Sequence, residues 1–325
     1  MTDHGSQIEE AVGKRQPPRS IVRCLVTISC LLVIAASACQ PRAPTVTLAL
    51  LGDMMVGRGV DPKPDTLAYL TPDLSSADLA LANLESPLAP FLPAADSTYN
   101  LCALSVHANL LSAWGFDLLS LANNHSFDCD PYGPADTRSA LEAAGITSIG
   151  PDLEPVYREV NGLQLAFLAF EDVVLPLDTN AAVQAVRSAR QTGAVVIVSL
   201  HWGAEYQGGA SDRQKFLAQK FAQAGASLIW GHHPHVLQPA EWILPPAGSE
   251  SVGGSTLVLY SLGNALFDQG GLDDTCRSVL VVVTLDADGV TNVRTVPFEM
   301  DVGNSRVVQP DAGTVEKIHA RINLP

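Results

Sequence analysis

The sequence predicts an α/β fold built as one domain. Short apolar segments of strand length alternate along the chain with longer segments of helical periodicity. A hydrophobic fraction of 47% and a charged fraction of 16% are typical of a globular protein with a packed core. The 325 residues suffice for one large α/β domain or two small ones. Because no internal repeat and no clear linker follow residue 44, we expect a single domain.

Strands and helices alternate through the first half of this domain. Each predicted strand is an apolar run that ends in polar or turn residues. The helix at 106–115 follows from the helical spacing of Leu110, Leu111 and Trp114, and Gly115 ends it. The predicted strands are 45–51, 77–82, 116–121 and a short one near Ile149, and the predicted helices are 106–115 and 134–144.

The second half repeats this alternation and then changes to antiparallel strands. In helix 212–224 we expect Phe216, Leu217, Phe221 and Ala224 to face inward. Runs 279–285 and 290–296 are a closing antiparallel pair turned at 288–289. The tail from residue 310 is expected to be helical and peripheral. The other predicted strands are 164–170, 194–200, 227–230 and 256–262, and the predicted helices are 180–191 and 212–224.

The N-terminus has the pattern of a targeting segment. Basic residues precede an apolar run at 24–38, which is too short for an ordinary transmembrane helix but fits a signal-peptide core. Small residues before Cys39 resemble a lipoprotein cleavage site, which predicts a lipid anchor to the membrane at the cell surface. The alternative is ordinary cleavage after Ala38 and secretion; both place the protein outside the cytoplasm. The predicted divisions are a signal peptide at 1–39, a tether at 40–44, the main domain at 45–302 and a C-terminal tail at 303–325 that packs on it.

Charge and cysteine content restrict the function further. A net charge of −15 argues against unaided nucleic-acid binding, because nothing offsets the repulsion of phosphates. The cysteine spacing is no zinc pattern. In an oxidising compartment we expect one disulfide among Cys102, Cys129 and Cys276, and the spacing leaves the pair open.

A histidine cluster follows the apolar run at 227–230. His232, His233 and His235 fall within four positions, and in a strand-like segment residues two apart point the same way. His233 and His235 can therefore aim two imidazoles at one metal ion, with Pro234 stiffening the backbone between them. The alternatives are a surface loop rich in histidine and a buried histidine held by a backbone carbonyl.

Metal-capable side chains also follow other predicted strands. In an open α/β sheet such strand ends gather at one edge. Oxygen and imidazole donors without thiolates suit one or two divalent ions of Mn, Fe or Zn. A turn or helix-capping role is the alternative for an isolated residue such as Asp53. The candidate ligands are Asp53, Glu85, Asn124, His201, His233 and His235. His125 is the candidate proton donor, with Asp128 to orient it.

Six short motifs follow one another along the chain. They are Gly52-Asp53 with Gly57-Arg58, Asn83-Leu84-Glu85, Ala122-Asn123-Asn124-His125, His201-Trp202-Gly203, Gly231-His232-His233-Pro234-His235 and Ser261-Leu262-Gly263-Asn264. Together they resemble the bacterial capsule-synthesis CapA family, which is linked to poly-γ-glutamate. The resemblance covers roughly residues 45 to 300, and six motifs in order are far more specific than any one of them.

The CapA family is similar to calcineurin-like metallophosphoesterases, and this likeness implies a four-layer αββα sandwich. It also implies two ligand sets that share Glu85. Met55 stands where those phosphoesterases have a histidine, and Glu85 stands in place of a bridging aspartate. The implied sets are Asp53, Glu85 and His235 for one ion, and Glu85, Asn124, His201 and His233 for the other. His125 takes the place of the catalytic histidine.

Two functions remain open from the sequence. The first is an extracytoplasmic metal-dependent hydrolase of a phosphoester or a γ-glutamyl amide. The second is a non-catalytic surface component that helps assemble or export an anionic polymer, together with polymer synthesis or export proteins. For Arg58 a plain surface charge is the alternative to a substrate contact. The predicted substrate contacts are Arg58, Asn83, Asn123, His232 and Asn264.

Overall fold

A computed structural model describes residues 1–2, 43–92, 100–129, 133–245 and 254–324. The chain divides into two compact units, Met1–Ala43 and Pro44–Pro325, and the second contains all the elements below. The predicted signal peptide, lipid-modification site and most of the tether fall outside the described residues, so they stay predictions. In the portion that is described, no helix has the length and hydropathy needed to cross a membrane.

Sheet I has eight strands within the described ranges. They are β1 (Val46–Met54), β2 (Leu79–Leu84), β5 (Leu118–Ser120), β6 (Thr147–Ile149), β13 (Asn264–Leu266), β14 (Arg277–Asp286), β15 (Gly289–Asp301) and β16 (Arg306–Val308). The order β16-β15-β14-β1-β2-β5-β6 places antiparallel strands on one side of β1 and parallel strands on the other, and β13 also pairs with β1. The β14–β15 hairpin confirms the predicted closing pair. A separate small ribbon joins β3 (Leu88–Ala89) to β4 (Ala103–Leu104).

In the part of the chain that the structure describes, sheet II has six strands. They are β7 (Val156–Val160), β8 (Leu163–Glu171), β9 (Val195–His201), β10 (Ala226–His232), β11 (Leu237–Ile243) and β12 (Thr256–Leu262). In the order β11-β12-β10-β9-β8-β7, the four inner strands are parallel and the two outer strands are antiparallel. The inner strands are buried along almost their whole length, as expected for strands covered on both faces.

Three apolar cores separate four layers. The central core joins the facing sides of the sheets, with Leu50 and Val281 from sheet I against Phe167 and Trp230 from sheet II. The outer cores lie between each sheet and its helices. This arrangement confirms the predicted αββα sandwich. Helices α1 (Thr71–Ser76), α2 (Ala108–Ala113) and α3 (Gly133–Ala143) cover sheet I, α4 (Thr179–Gln191) and α5 (Asp212–Ala224) cover sheet II, and α6 (Ala312–Ile322) packs against the central core.

Several sequence-based details were wrong. The first strand does not stop at residue 51; β1 continues to Met54, so Asp53 lies within the strand. The helix expected at 106–115 begins with a 3₁₀ turn and is α-helical only over α2. Phe216 does not face inward; it is 46% exposed, and the cations of Arg213 and Lys220 lie over its ring. Strands β7 and β11 were not predicted.

Candidate metal centre

Sheet I contributes two buried carboxylates. Asp53 in β1 accepts a hydrogen bond from Asn83 Nδ2 at 2.9 Å and one from the His233 backbone N–H at 3.1 Å. Glu85 directly follows β2, and its Oε1 lies 3.3 Å from Asn83 Nδ2. Both carboxylates are fully buried, and Glu85 Oε2 has no hydrogen-bond partner among the described residues. Such an orphaned buried oxygen is costly unless a cation or a proton satisfies it.

Sheet II contributes His201, the last residue of β9. Its Nδ1 lies 3.9 Å from Glu85 Oε1, and its Nε2 lies 2.7 Å from Asn124 Oδ1. An Nε2–H that donates to Asn124 leaves the Nδ1 lone pair facing the carboxylates. Asn83 Nδ2 lies 3.2 Å from the same Nδ1, and the role of Asn124 as a metal ligand stays a prediction.

His233 and His235 lie in a tight turn that follows β10. Their φ angles of +94° and +58° place both residues in the left-handed region, so the expected strand-like geometry is wrong. His235 Nδ1 lies 2.8 Å from Asn264 Oδ1, and His233 Nδ1 is buried without a hydrogen-bond partner in the described part of the chain. Non-glycine residues in this region carry strain that the surrounding structure must sustain, which is common at ligand-binding sites.

Among the described residues, the side chains form two groups of possible metal ligands. Within each group one ligand atom from every residue lies within 4.8 Å of the others. The first group is Asp53, Glu85 and His201, and the second is Glu205, His233 and His235. The resemblance pairs His235 with Asp53, and His235 Nδ1 also lies 3.5 Å from Asp53 Oδ2. The assignment of individual ligands to an ion stays a prediction. Glu205 was not predicted, because a lone acidic residue in a loop is most often a solvated surface charge.

Burial and neighbouring charges set the protonation of the centre. Burial opposes the charge on Asp53, but contacts with His232 and the charges of His235 and His201 hold its pKa well below the usual value. Burial and the charge of Asp53 raise the pKa of Glu85 well above its usual value. Burial, with repulsion from His233, lowers the pKa of His201, and burial with repulsion from His235 lowers the pKa of His233 to about 4. Neutral imidazole is the form that binds metal.

The predicted catalytic pair lies at the rim of this centre. His125 Nδ1 is 2.9 Å from Asp128 Oδ2, which also accepts the Leu101 N–H at 2.7 Å. The neighbouring Cys129 forms a disulfide with Cys102, and Cys276 is unpaired in the described chain. The disulfide therefore ties the loop that carries both His125 and Asp128 to the segment around Leu101.

The predicted substrate contacts occupy different environments. Asn83, His232 and Asn264 are fully buried among the candidate ligands. Asn123 is 5% exposed and donates to Leu84 O at 2.8 Å, while its Oδ1 accepts the His125 N–H. Arg58 forms an ion pair with Asp268, and its guanidinium lies over Phe267. Substrate contact by these residues stays a prediction.

The donor set fits a divalent cation. Carboxylate oxygens and imidazole nitrogens suit Mn, Fe or Zn, and no cysteine belongs to either group. The orphaned Glu85 Oε2 and His233 Nδ1 are donor atoms that a cation would satisfy.

Comparisons with known proteins agree with the capsule-synthesis motifs. Residues 47–269 match the family model described as "Bacterial capsule synthesis protein PGA_cap". The chain is 30% identical to the "PGA biosynthesis protein CapA" of Bacillus subtilis (strain 168), over 82% of this chain and 75% of that protein. It is 29% identical to the "Capsule biosynthesis protein CapA" of Bacillus anthracis, over 91% of this chain and 79% of that protein.

Two solved structures resemble this chain at lower sequence identity. A hypothetical protein from Thermus thermophilus is 18% identical with a TM-score of 0.49, over 78% of this chain and 99% of that one. Purple acid phosphatase PPD1 from yellow lupin is 9% identical with a TM-score of 0.35, over 87% of this chain and 57% of that one.

Proposed function

Because this chain belongs to the bacterial capsule synthesis protein PGA_cap family, we propose that it is a metal-dependent hydrolase of capsule and polyglutamate biosynthesis. The chain is a CapA-like protein, and relatives named for PGA biosynthesis support a role with an anionic γ-glutamyl polymer. The observation that carries the proposal is the convergence of Asp53 and Glu85 with His201 in one buried group. Unpaired, those carboxylates are costly to bury; a divalent cation offsets that cost.

The residues divide the chemistry between them. A cation held by Asp53, Glu85 and His201 would stabilise negative charge that develops on the scissile group. Hydrolysis adds water across a phosphoester or γ-glutamyl amide bond, and the leaving oxygen or nitrogen then needs a proton. His125 supplies that proton, and the hydrogen bond of its Nδ1 to Asp128 holds the ring and leaves Nε2 as the nitrogen that gives the proton. Buried side chains around the ligands keep bulk water from screening their charges.

We place this activity outside the cytoplasm. The Cys102–Cys129 disulfide supports that placement, since structural disulfides persist in oxidising compartments. The signal-peptide pattern at 1–39 supports it independently, and a lipid on Cys39 would anchor the protein to the membrane. There the anionic polymer, its synthesis proteins and its export proteins would be the partners.

Metal-dependent turnover by the full protein tests the proposal. The stripped protein receives Mn²⁺ and is assayed on a model phosphoester and on γ-linked glutamate polymer. We expect Mn²⁺-dependent cleavage of one of them, reduced at least about 100-fold in Glu85→Ala and His233→Ala. The exposed Glu316→Ala is the matched control and should keep full activity.

Two results would contradict the proposal. Full activity in both site variants would place the reaction elsewhere on the protein. No turnover of either substrate by the metal-loaded protein would instead favour a non-catalytic role in polymer assembly or export.

A further inference from the structure

We propose that a pocket between helix α6 and the first residues of β11 binds carboxylates of a γ-linked glutamyl chain while the candidate metal centre acts on another unit of that chain. This inference rests on the proposed function and deepens it, because it places a substrate subsite outside the metal centre. The pocket has a volume of about 380 Å³, which is within the usual range for ligand sites. We call it the basic pocket, after the cations Arg277, Lys317 and Arg321 in its lining.

The charge of this lining is opposite to the charge of the whole protein. Three cationic side chains line the pocket together with the carboxylate of Asp274, in a chain whose net charge is −15. Asp274 Oδ2 lies 3.1 Å from Arg321 Nη2 and Asp274 Oδ1 lies 3.5 Å from Arg277 Nη1, so two guanidinium groups share one carboxylate. The Asp274 side chain is 53% exposed, and ion pairs in such positions are weak. A ligand carboxylate can therefore compete for both arginines.

Arg277 has further acidic neighbours that leave part of its guanidinium group unpaired. Its Nη2 lies 3.0 Å from Asp273 Oδ2, on a side chain that is 84% exposed, and its Nε lies 3.7 Å from Glu299 Oε1. That Nε is buried and donates no hydrogen bond to any described residue. A buried N–H without an acceptor costs free energy, and an anion bonded to it would offset this cost.

The rest of the lining is apolar and therefore selects among anions. It includes Leu237, Pro239 and Ile318, and an apolar lining favours contact with methylene groups over contact with water. Each unit of a γ-linked glutamyl chain has a carboxylate on its Cα and methylene groups in its main chain. Such a chain can present carboxylates to the cations and methylenes to the apolar residues, whereas inorganic phosphate offers only charge.

The basic pocket adjoins the candidate metal centre through two segments of the chain. On β11, Leu237 follows His235 by two positions in the sequence. On the other segment, Asn264 Nδ2 donates to Thr275 O at 3.1 Å, two positions before Arg277, while Asn264 Oδ1 lies 2.8 Å from His235 Nδ1. The residues that hold the histidine turn therefore also form one side of the pocket.

Arg321 connects the pocket with the loop that follows His201. Gly208 in that loop lies so close to Arg321 that a Cβ at position 208 would collide with Nη1 of the guanidinium group. The loop is held to β11, because Gln238 Nε2 donates to Gln207 O at 2.9 Å. One extended anionic chain can therefore lie along this loop, with one unit at the candidate centre and another in the basic pocket.

Fluorescence anisotropy of a labelled γ-linked glutamate oligomer tests the basic pocket without measuring activity. The full protein is titrated in excess chelator, so that no metal ion links the oligomer to the candidate centre. We expect Arg321→Gln and Lys317→Gln each to weaken binding at least about fivefold, because each removes a charged hydrogen-bond donor. Arg306→Gln removes the same charge from an exposed position on β16, outside the pocket, and should change the affinity by less than about twofold.

Asp274→Asn separates a role in binding from a role in folding. Both Asp274→Asn and Arg321→Gln break the Asp274–Arg321 ion pair, so a pair that only supports the fold would weaken oligomer binding in both variants. If Asp274 competes with the ligand for Arg277 and Arg321, its removal should tighten binding about threefold or more. Thermal unfolding of each variant checks that the fold is kept.

Several results would overturn the inference. They are wild-type affinity in both Arg321→Gln and Lys317→Gln, equal weakening in Arg306→Gln, weaker binding in Asp274→Asn, and no oligomer binding by the wild type. Inorganic phosphate that competes at the oligomer's own affinity would mean a phosphate site and would also overturn it.

Failure of the pocket differs from failure of the proposed hydrolase. Mn²⁺-dependent turnover by the wild type, with oligomer binding unchanged in the variants, would remove the pocket and leave the hydrolase. The expected changes in binding, without turnover by the metal-loaded wild type, would contradict the hydrolase and leave the pocket standing.

Discussion

Glu85 Oε1 lies 3.9 Å from His201 Nδ1, although Glu85 follows a strand of sheet I and His201 ends a strand of sheet II. The candidate centre therefore lies across the two stacked sheets. Its geometry depends on how they are joined, for example by Trp230 Nε1 donating to Leu51 O at 2.9 Å. Changes that disturb this stacking should affect metal binding even when no ligand is altered.

Gly52→Ala should destabilise the fold where the sheets cross. The chain passes from sheet II to sheet I at Gly263, and a Cβ on Gly52 would lie 1.9 Å from Gly263 O. The atoms that this Cβ would meet belong to the backbone and cannot rotate away. We therefore expect a loss of about 3 kcal/mol or more in the free energy of unfolding, measured by urea denaturation. Gly271→Ala is the control, since its Cβ meets nothing within 4 Å. Equal stability of both variants would mean that this contact is looser than described.

Cys102→Ser should lower both stability and turnover. Its disulfide with Cys129 spans 27 residues of sequence, and removing such a bond typically costs about 3 kcal/mol. The residue before Cys129 is Asp128, so a loosened loop should also reduce kcat through His125. Cys276→Ser, which removes the unpaired cysteine, should change stability by less than about 0.5 kcal/mol. Thermal unfolding and kcat of the two variants measure this contrast, and indistinguishable results would count against it.

Asn264→Ala should weaken metal binding. Asn264 Oδ1 lies 2.8 Å from His235 Nδ1, and Asn264 Nδ2 donates to Thr275 O at 3.1 Å. Losing a residue that orients a metal-binding histidine typically reduces metal affinity about 10- to 100-fold. Mn²⁺ calorimetry measures this effect. If Asn264 instead contacts substrate, as the sequence suggested, KM will rise while the Mn²⁺ affinity stays constant.

Mn²⁺ binding should release a proton from Glu85 at pH values below the raised pKa of that carboxyl group. Burial and the charge of Asp53 raise the pKa of Glu85 well above its usual value, so a cation must displace its proton. The affinity should therefore rise as the pH rises towards that raised pKa. The lowered pKa values of His201 and His233 mean that these rings are already neutral and release none.

Calorimetry in two buffers with different ionisation enthalpies counts the released protons. Glu85→Gln should release fewer protons per ion bound than the wild type does. An affinity that is independent of pH, without proton release in the wild type, would mean that Glu85 is ionised before the metal binds.

The sequence predicted the strand ends that carry the candidate ligands because burial and strand periodicity are local properties. Apolar runs before Asp53, Glu85 and His201 indicate buried strands, and the polar residues that follow them stand out. Periodicity does not assign a strand to a sheet. The partition of carboxylates to sheet I and histidines to sheet II therefore came only from the structure.

Other features could not be predicted because they depend on distant contacts. Glu205 resembles any exposed loop acid until its position beside His233 and His235 is known. The pairing of Cys102 with Cys129 depends on which loops meet. Phe216 has the helical spacing of a core residue, but its side of α5 faces solvent.

Anomalous diffraction from crystals of the Mn²⁺-loaded protein tests the shared metal centre most directly. We predict an anomalous peak bonded to Asp53, Glu85 and His201, with ligands from both sheets. A loaded crystal that shows no peak within coordination distance of Glu85 and His201, or a peak bound only elsewhere on the surface, would contradict it.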